Sequence, residues 1–292
     1  MELDDLKTAL EGAYAPFSEY IKYLADGRLD GHITSNCRSE KTSVPGFDMS
    51  TDPNLLLHNL GVYVDQQKIK ELFANRTVYV DQSTHCLQSI ITFYLCSHLF
   101  NTSGSGKTRL LLDGLCHHWG FYFTCRVESA SAGGSSDFTD ASSIIPSYQS
   151  RGQAGDIRAK AAERTLSMLV CGRIFILMKL LECLPVDTTD TDARRRWVFL
   201  QVVPPVHRFL DIFLAVFRSL RHGDDLCMKE YFRTTLVKIK EGHLRLFQDG
   251  TLWVVLDEAQ AASTMLSGLF PSISDGSFIK HSFLHEAHAY FM

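Results

Sequence analysis

No two of the eight cysteines in this 292-residue chain form a C-x-x-C pair. They stand at positions 37, 86, 96, 116, 125, 171, 183 and 227, mostly with apolar neighbours, and none lies at zinc-finger spacing from a histidine pair. Paired-cysteine metal and redox motifs are thereby excluded. The pattern reads as small buried hydrophobes in a reducing compartment. Positive charge is not in excess either: 29 Lys and Arg meet 33 Asp and Glu, a net charge of −4. That removes any general attraction to nucleic acid or to anionic membranes. There is no internal repeat. The most apolar stretch, 166–184, contains Arg173 and Lys179. It suits a buried helix better than a membrane span. The N-terminal "MELDDLKTALEG" is acidic and amphipathic, unlike a signal or transit peptide. The expectation is an intracellular protein, cytoplasmic or nuclear, with the sequons at Asn75 and Asn101 as chance matches.

Hydrophobic residues make up 45% of the chain, enough for a large buried core. Apolar residues recur at helical spacing over 3–26, through Leu6, Leu10, Tyr14, Phe17, Tyr20, Ile21 and Leu24, with Pro16 dividing the stretch. Residues 28–55 read as loop. "QKIKELFANRTVYV" suggests a short helix and then an extended segment. "SIITFYLCSHLF", 89–100, is β-branched and aromatic, as a central parallel strand would be. "KTRLLLDGLCHH" follows as a helix with Gly120 as its stop signal, and "FYFTCRV" as a second strand. The Ser-, Ala- and Gly-rich stretch 127–156 reads as a mobile connection. Four helices are then expected: one ending before Pro185, one ending before Pro204 and Pro205, one from His207 to Gly223, and one capped by Asp224 or Asp225. "TLWVVLDEAQ" returns to strand, and the tail is expected to end in a helix over Phe278–Met292.

The motif that carries chemistry is "NTSGSGKTR", between the expected strand and helix. It approximates the phosphate-binding pattern G-x-x-x-x-G-K-S/T, with Asn101 at the first glycine position. Asn tolerates a left-handed backbone, so the departure is mild. Backbone N–H groups over Asn101, Ser103, Gly104, Ser105 and Gly106 would face phosphates, as would Lys107, with Arg109 beside them. The Thr108 hydroxyl would meet Mg2+. The strand "LWVVLDE" ends in two acids. Asp257 would bind the Mg2+ through Thr108 or water, and Glu258 would orient or deprotonate the attacking water. The predicted catalytic pair is therefore Glu258 and Lys107, and the predicted cofactors are ATP and Mg2+. Smaller candidates are His117 and His118 as metal ligands or helix-end residues, and Asp137 of "GSSDF" facing the site. Arg194, Arg195 and Arg196 are candidate phosphate ligands, against the plainer reading of a solvated helix start.

"TSGSGKTRLLLDGLCHHWGFYFT", "GSSDF" and "LWVVLDEAQ" together resemble the ATPase domain of Crinkler-type proteins, which are related to retrotransposon-hot-spot proteins. The resemblance covers roughly residues 85–292. It implies an ATPase of the additional-strand, catalytic-glutamate division, with motif roles on Gly104, Gly106, Lys107, Thr108, Asp257 and Glu258. It also implies modular partners. Neither a ubiquitin-like header nor a nuclease-like domain accompanies the motifs, and the chain ends where the intervening sensor strand is expected. The expected fold is an α/β phosphate-loop NTPase with a mostly parallel sheet that lacks one central strand. A large helical insertion is expected over about 157–243, behind an N-terminal helical and loop region over 1–84. ATP binding with weak or lost turnover is the leading expectation. The alternatives are a non-catalytic interaction module that uses nucleotide as a structural switch and a small-molecule kinase. A protein partner or a separate C-terminal domain would fit either.

Overall fold

The computed structural model describes residues 2–29, 60–61, 69, 107–124, 134–144, 155–243, 252–257, 270–274 and 277–281. For 107, 155–159, 162 and the last two segments the description is of backbone alone. The expected strand 89–100 lies outside the described residues, as does most of the loop 28–55; of the expected short helix near 67–80 only Ile69 is described, and it is helical and buried.

The first helix, α1 (Leu3–Tyr14), starts in a capping box between Glu2 and Asp5. Pro16 then sits in a 3-10 turn, Ala15–Phe17, and α2 (Ser18–Ala25) follows. The proline divides the stretch as its missing N–H requires. All seven apolar positions expected to face inward are buried. They pack against the helical block that follows, Tyr14 meeting Phe175 edge-on at 5.8 Å. One continuous core therefore joins the N-terminal helices to the rest of the described chain. Each large apolar side chain buried in it is worth about 1.5–3 kcal/mol.

The helix α3 (Lys107–Leu115) leads into strand β1 (Gly120–Thr124). Strand β4 (Trp253–Asp257) pairs with β1 in parallel, Gly120 opposite Trp253 and Thr124 opposite Asp257. Alternation then sorts the side chains. Phe121 and Phe123 take one face, against Trp197 and Phe138. Gly120, Tyr122 and Thr124 take the other, where α3 lies. Gly120 is not the helix stop that its position suggested. It is the first residue of β1, and a Cβ there would lie 2.6 Å from both Leu115 Cδ2 and the Trp253 carbonyl oxygen. The close approach of helix, strand and strand is what requires glycine.

The edge of β1 turned away from β4 is occupied by a helix. The Gly120 carbonyl accepts from Trp197 Nε1 at 2.7 Å and from Gln201 Nε2 at 3.3 Å, and the Tyr122 N–H donates to Gln201 Oε1 at 2.8 Å. Both side chains belong to α6 (Asp190–Val202), and both are fully buried. They supply the hydrogen bonds that another strand would make there, which closes the edge.

The stretch expected to be a mobile connection contains a further helix, α4 (Asp137–Ile144). Burial of Asp137 and Phe138 holds it, despite a composition that reads as linker. Arg173 on the long α5 (Gly155–Cys183) donates to Asp137 through Nε at 3.1 Å and through Nη2 at 2.8 Å to each carboxylate oxygen. The guanidinium lies between the rings of Phe213 and Phe123, at 3.8 and 4.8 Å. Burial pushes the Asp137 carboxyl up, and the Arg173 charge pulls it back.

Helices α5 and α6 end before their prolines as expected. The third helix does not begin at His207. A small hairpin, β2 (Val206–His207) with β3 (Leu210–Asp211), comes first, and Arg208 and Phe209 at its tip have φ of 50° and 68°. Helix α7 (Ile212–Ser219) starts where Asp211 caps the Leu214 N–H. The same carboxylate accepts from Ser135 and Ser136, so one acid ties the hairpin, α7 and the loop before α4 together. Gly223 follows a 3-10 turn in extended conformation, without a left-handed cap. Asp224 caps α8 (Asp225–Gly242), as expected.

Near the C-terminus, β5 (Phe270–Ser274) and β6 (Ser277–His281) form an antiparallel hairpin. The helix expected from Phe278 therefore does not start there. Asp275-Gly276 between the two strands is a hairpin dipeptide, and that local turn signal overrides the helical reading. The fold is mixed α/β, mostly helical, with a small parallel sheet. Among the described residues no helix is long and apolar enough to cross a membrane.

Removing one partner of the buried pair leaves an uncompensated charge. Arg173→Met is expected to cost about 3–5 kcal/mol in denaturant unfolding, and Asp137→Leu/Arg173→Met to recover most of it. Gly120→Ala is expected to cost about 1–3 kcal/mol, because the new methyl meets backbone that cannot turn aside.

Candidate functional site

The carboxyl end of the parallel pair gathers three polar side chains from three elements. Asp257 is the last residue of β4, and its side chain is 8% exposed with the rest of the residue. Its Oδ2 accepts from Thr108 Oγ1 at 2.8 Å and from Tyr122 Oη at 2.8 Å. Thr108 lies in the first turn of α3, where backbone N–H groups are unpaired within the helix and the dipole is positive. Tyr122 lies on β1 directly opposite Val255, so Asp257 is its diagonal neighbour on the same face. An aromatic side chain spans that diagonal.

Of the predicted site, Thr108 and Asp257 are brought into direct contact although 149 residues separate them. Lys107 is the first residue of α3. Asn101, Ser103, Gly104, Ser105, Gly106 and Glu258 lie outside the described residues. Arg109 is turned along its helix, and its Nε donates to Asp113 one turn on, at 2.9 Å. Asp113 also accepts the Gly61 N–H at 2.8 Å, which docks that segment on α3.

The three consecutive arginines are neither a solvated helix start nor gathered at the carboxyl end of the sheet. Each donates to a main-chain carbonyl of a different segment. Arg194 Nε binds Cys116 O at 3.1 Å, Arg195 Nε binds Leu60 O at 3.0 Å, and Arg196 Nη1 binds Ala25 O at 2.6 Å. Arg194 thereby places a positive charge at the C-terminal end of α3, where the dipole favours it. Asp137 does not face the site. It is buried against Arg173, as described above. Cys116 and Cys171 are buried thiols, as expected, and burial pushes Cys116 up to about 12. Among the described residues no group of three His, Cys, Asp or Glu side chains is gathered for a metal.

Sequence reasoning missed Tyr122. A signal for it was present: "FYF", 121–123, has one hydroxyl among three aromatic rings, and a buried tyrosine hydroxyl needs a partner.

Hydroxyl and carboxylate are hard oxygen donors. Such donors suit a small divalent cation, and the positive start of α3 suits an anion beside it. No family profile, curated protein or solved structure matches the chain. The chemistry of the site therefore rests on its own geometry.

His117, just past α3, carries a testable pH dependence. Burial first, and then the Arg194 charge, hold its imidazole below the usual value. Its neutral form is the one the folded state accommodates. Stability is therefore complete above about pH 6.5 and falls as the pH drops below it. His117→Asn is expected to lose less stability than wild type between pH 7 and 5.5 in denaturant titrations.

Proposed function

We propose that this chain is an ATP-binding phosphate-loop protein of α/β NTPase type that holds Mg2+ through Thr108 and Asp257. One observation carries the reading: the 2.8 Å hydrogen bond from the Thr108 hydroxyl to the Asp257 carboxylate. Two sequence motifs so far apart have no local reason to meet. A shared cation supplies one. Thr108 keeps its oxygen lone pairs for a metal while its proton goes to Asp257. Two protein ligands are enough, because Mg2+ retains waters and takes phosphate oxygens.

On this reading the amides over 101–106 and the ammonium of Lys107 bind the phosphates, and the start of α3 adds its dipole. A cation held by Thr108 and Asp257 would neutralise charge on the phosphates. Glu258, next to Asp257 in sequence, orients or deprotonates the attacking water. The parallel pairing of the strand after α3 with the Asp257 strand supports this arrangement. The similarity of the motifs to Crinkler-type ATPase domains supports it as well.

A second reading is a non-catalytic interaction module that uses nucleotide as a structural switch. Asn101 at the outermost glycine position favours it, since turnover tolerates less displacement of the phosphates than binding does.

Isothermal titration with ATP and Mg2+ tests the proposal. Lys107→Ala is expected to abolish binding, and equal affinity in the variant and wild type would overturn the reading. Glu258→Gln is expected to bind ATP as wild type does. Phosphate release that disappears in Glu258→Gln selects the ATPase over the switch. Asp257→Asn is expected to retain metal-free binding and lose most of the gain that Mg2+ brings.

A further inference from the structure

We propose that Tyr122 is a positioning residue for the metal-binding carboxylate, holding Asp257 in the orientation that Mg2+ with bound ATP requires. The inference rests on the nucleotide reading and adds to it a residue outside both sequence motifs.

The hydroxyl is the part of Tyr122 that needs explaining. Its neighbours on β1 are Phe121 and Phe123, and a phenylalanine at 122 would bury as much ring. A buried hydroxyl is costly unless it is paired, and this one donates to Asp257 Oδ2 at 2.8 Å. That oxygen also takes the Thr108 proton. A carboxylate is otherwise broad in its last torsion, so two donors arriving from different elements fix its plane. Tyr122 is itself immobilised. Its N–H is held by Gln201 at 2.8 Å. The loop before α4 passes beside its ring at Gly134, where a Cβ would lie 3.5 Å from Tyr122 Cε1 and 2.6 Å from Thr124 Cγ2. Gly134 has φ +102° and its N–H is bound to Val202 O at 2.6 Å, so the loop cannot easily withdraw. A rigid ring presents a rigid donor. Metal sites depend on such partners: removing one typically weakens metal binding by about 10- to 100-fold.

The discriminating quantity is the ratio of ATP affinity in Mg2+ to that in EDTA, measured by isothermal titration. In Tyr122→Phe this ratio is expected to fall about tenfold from wild type. General damage to the fold would lower both affinities together and leave the ratio unchanged. An unchanged ratio in Tyr122→Phe, with binding that still requires Lys107, overturns the role of Tyr122 alone. Wild type that binds no better than Lys107→Ala overturns the nucleotide reading itself. A second measurement keeps the phenol in place. With 3-fluorotyrosine at position 122 alone, the fluorine resonance is expected to shift when Mg2+ is added to the ATP complex. A resonance that does not move overturns the proposal.

Discussion

The parallel register of β1 and β4 determines most of what the site can do. Setting Thr124 opposite Asp257 brings the end of one strand level with the end of the other. Asp257 then lies within reach of the first turn of α3 and of the Tyr122 ring. Because side chains alternate, a slip of one residue would turn Asp257 to the opposite face, among Phe121, Phe123 and their helical neighbours. It would there lose the Thr108 and Tyr122 donors. The register is held by several independent contacts: the Trp253 N–H on the Trp119 carbonyl at 2.8 Å, the tight passage at Gly120, and the two hydroxyls on Asp257.

The helical block does more than fill space. Helix α6 closes the free edge of β1 with Trp197 and Gln201, and its three arginines each donate to a main-chain carbonyl of another segment. Arg173 of α5 holds the start of α4 through Asp137, and Asp211, the cap of α7, holds the loop before α4 through Ser135. That loop passes against Thr124 and Tyr122. The polar end of the sheet thus packs against a loop that charged and hydroxyl groups tie to the helical block. Buried polar groups with satisfied partners specify one arrangement where apolar packing alone would allow several.

The departures from expectation share a cause. Asp137, Arg194, Arg195 and Arg196 are charged residues whose sequence surroundings suggest solvent or ligand. Each instead binds a group distant in sequence. Local composition reports what a residue tends to do alone, whereas desolvation by neighbouring elements decides whether it must find a partner. The 127–156 stretch illustrates this: it reads as linker, and the Arg173 partner 36 residues beyond Asp137 makes part of it a helix.

Periodicity and punctuation were legible in the chain by itself. The apolar stripe of α1 and α2, their division at Pro16, the ends of α5 and α6 before prolines, the Asp224 cap and the strand character of 121–124 and 253–257 all follow from short-range physics. Backbone geometry and adjacent side chains act there within a few residues. The sequence also pointed to Thr108 and Asp257 as an interacting pair. Only the tertiary structure could decide that Tyr122 joins them, that helix α6 takes the outer edge of β1, and that the arginine trio binds main-chain carbonyls. Those outcomes depend on which surfaces are desolvated together, a property of the packed chain that no window of neighbouring residues contains.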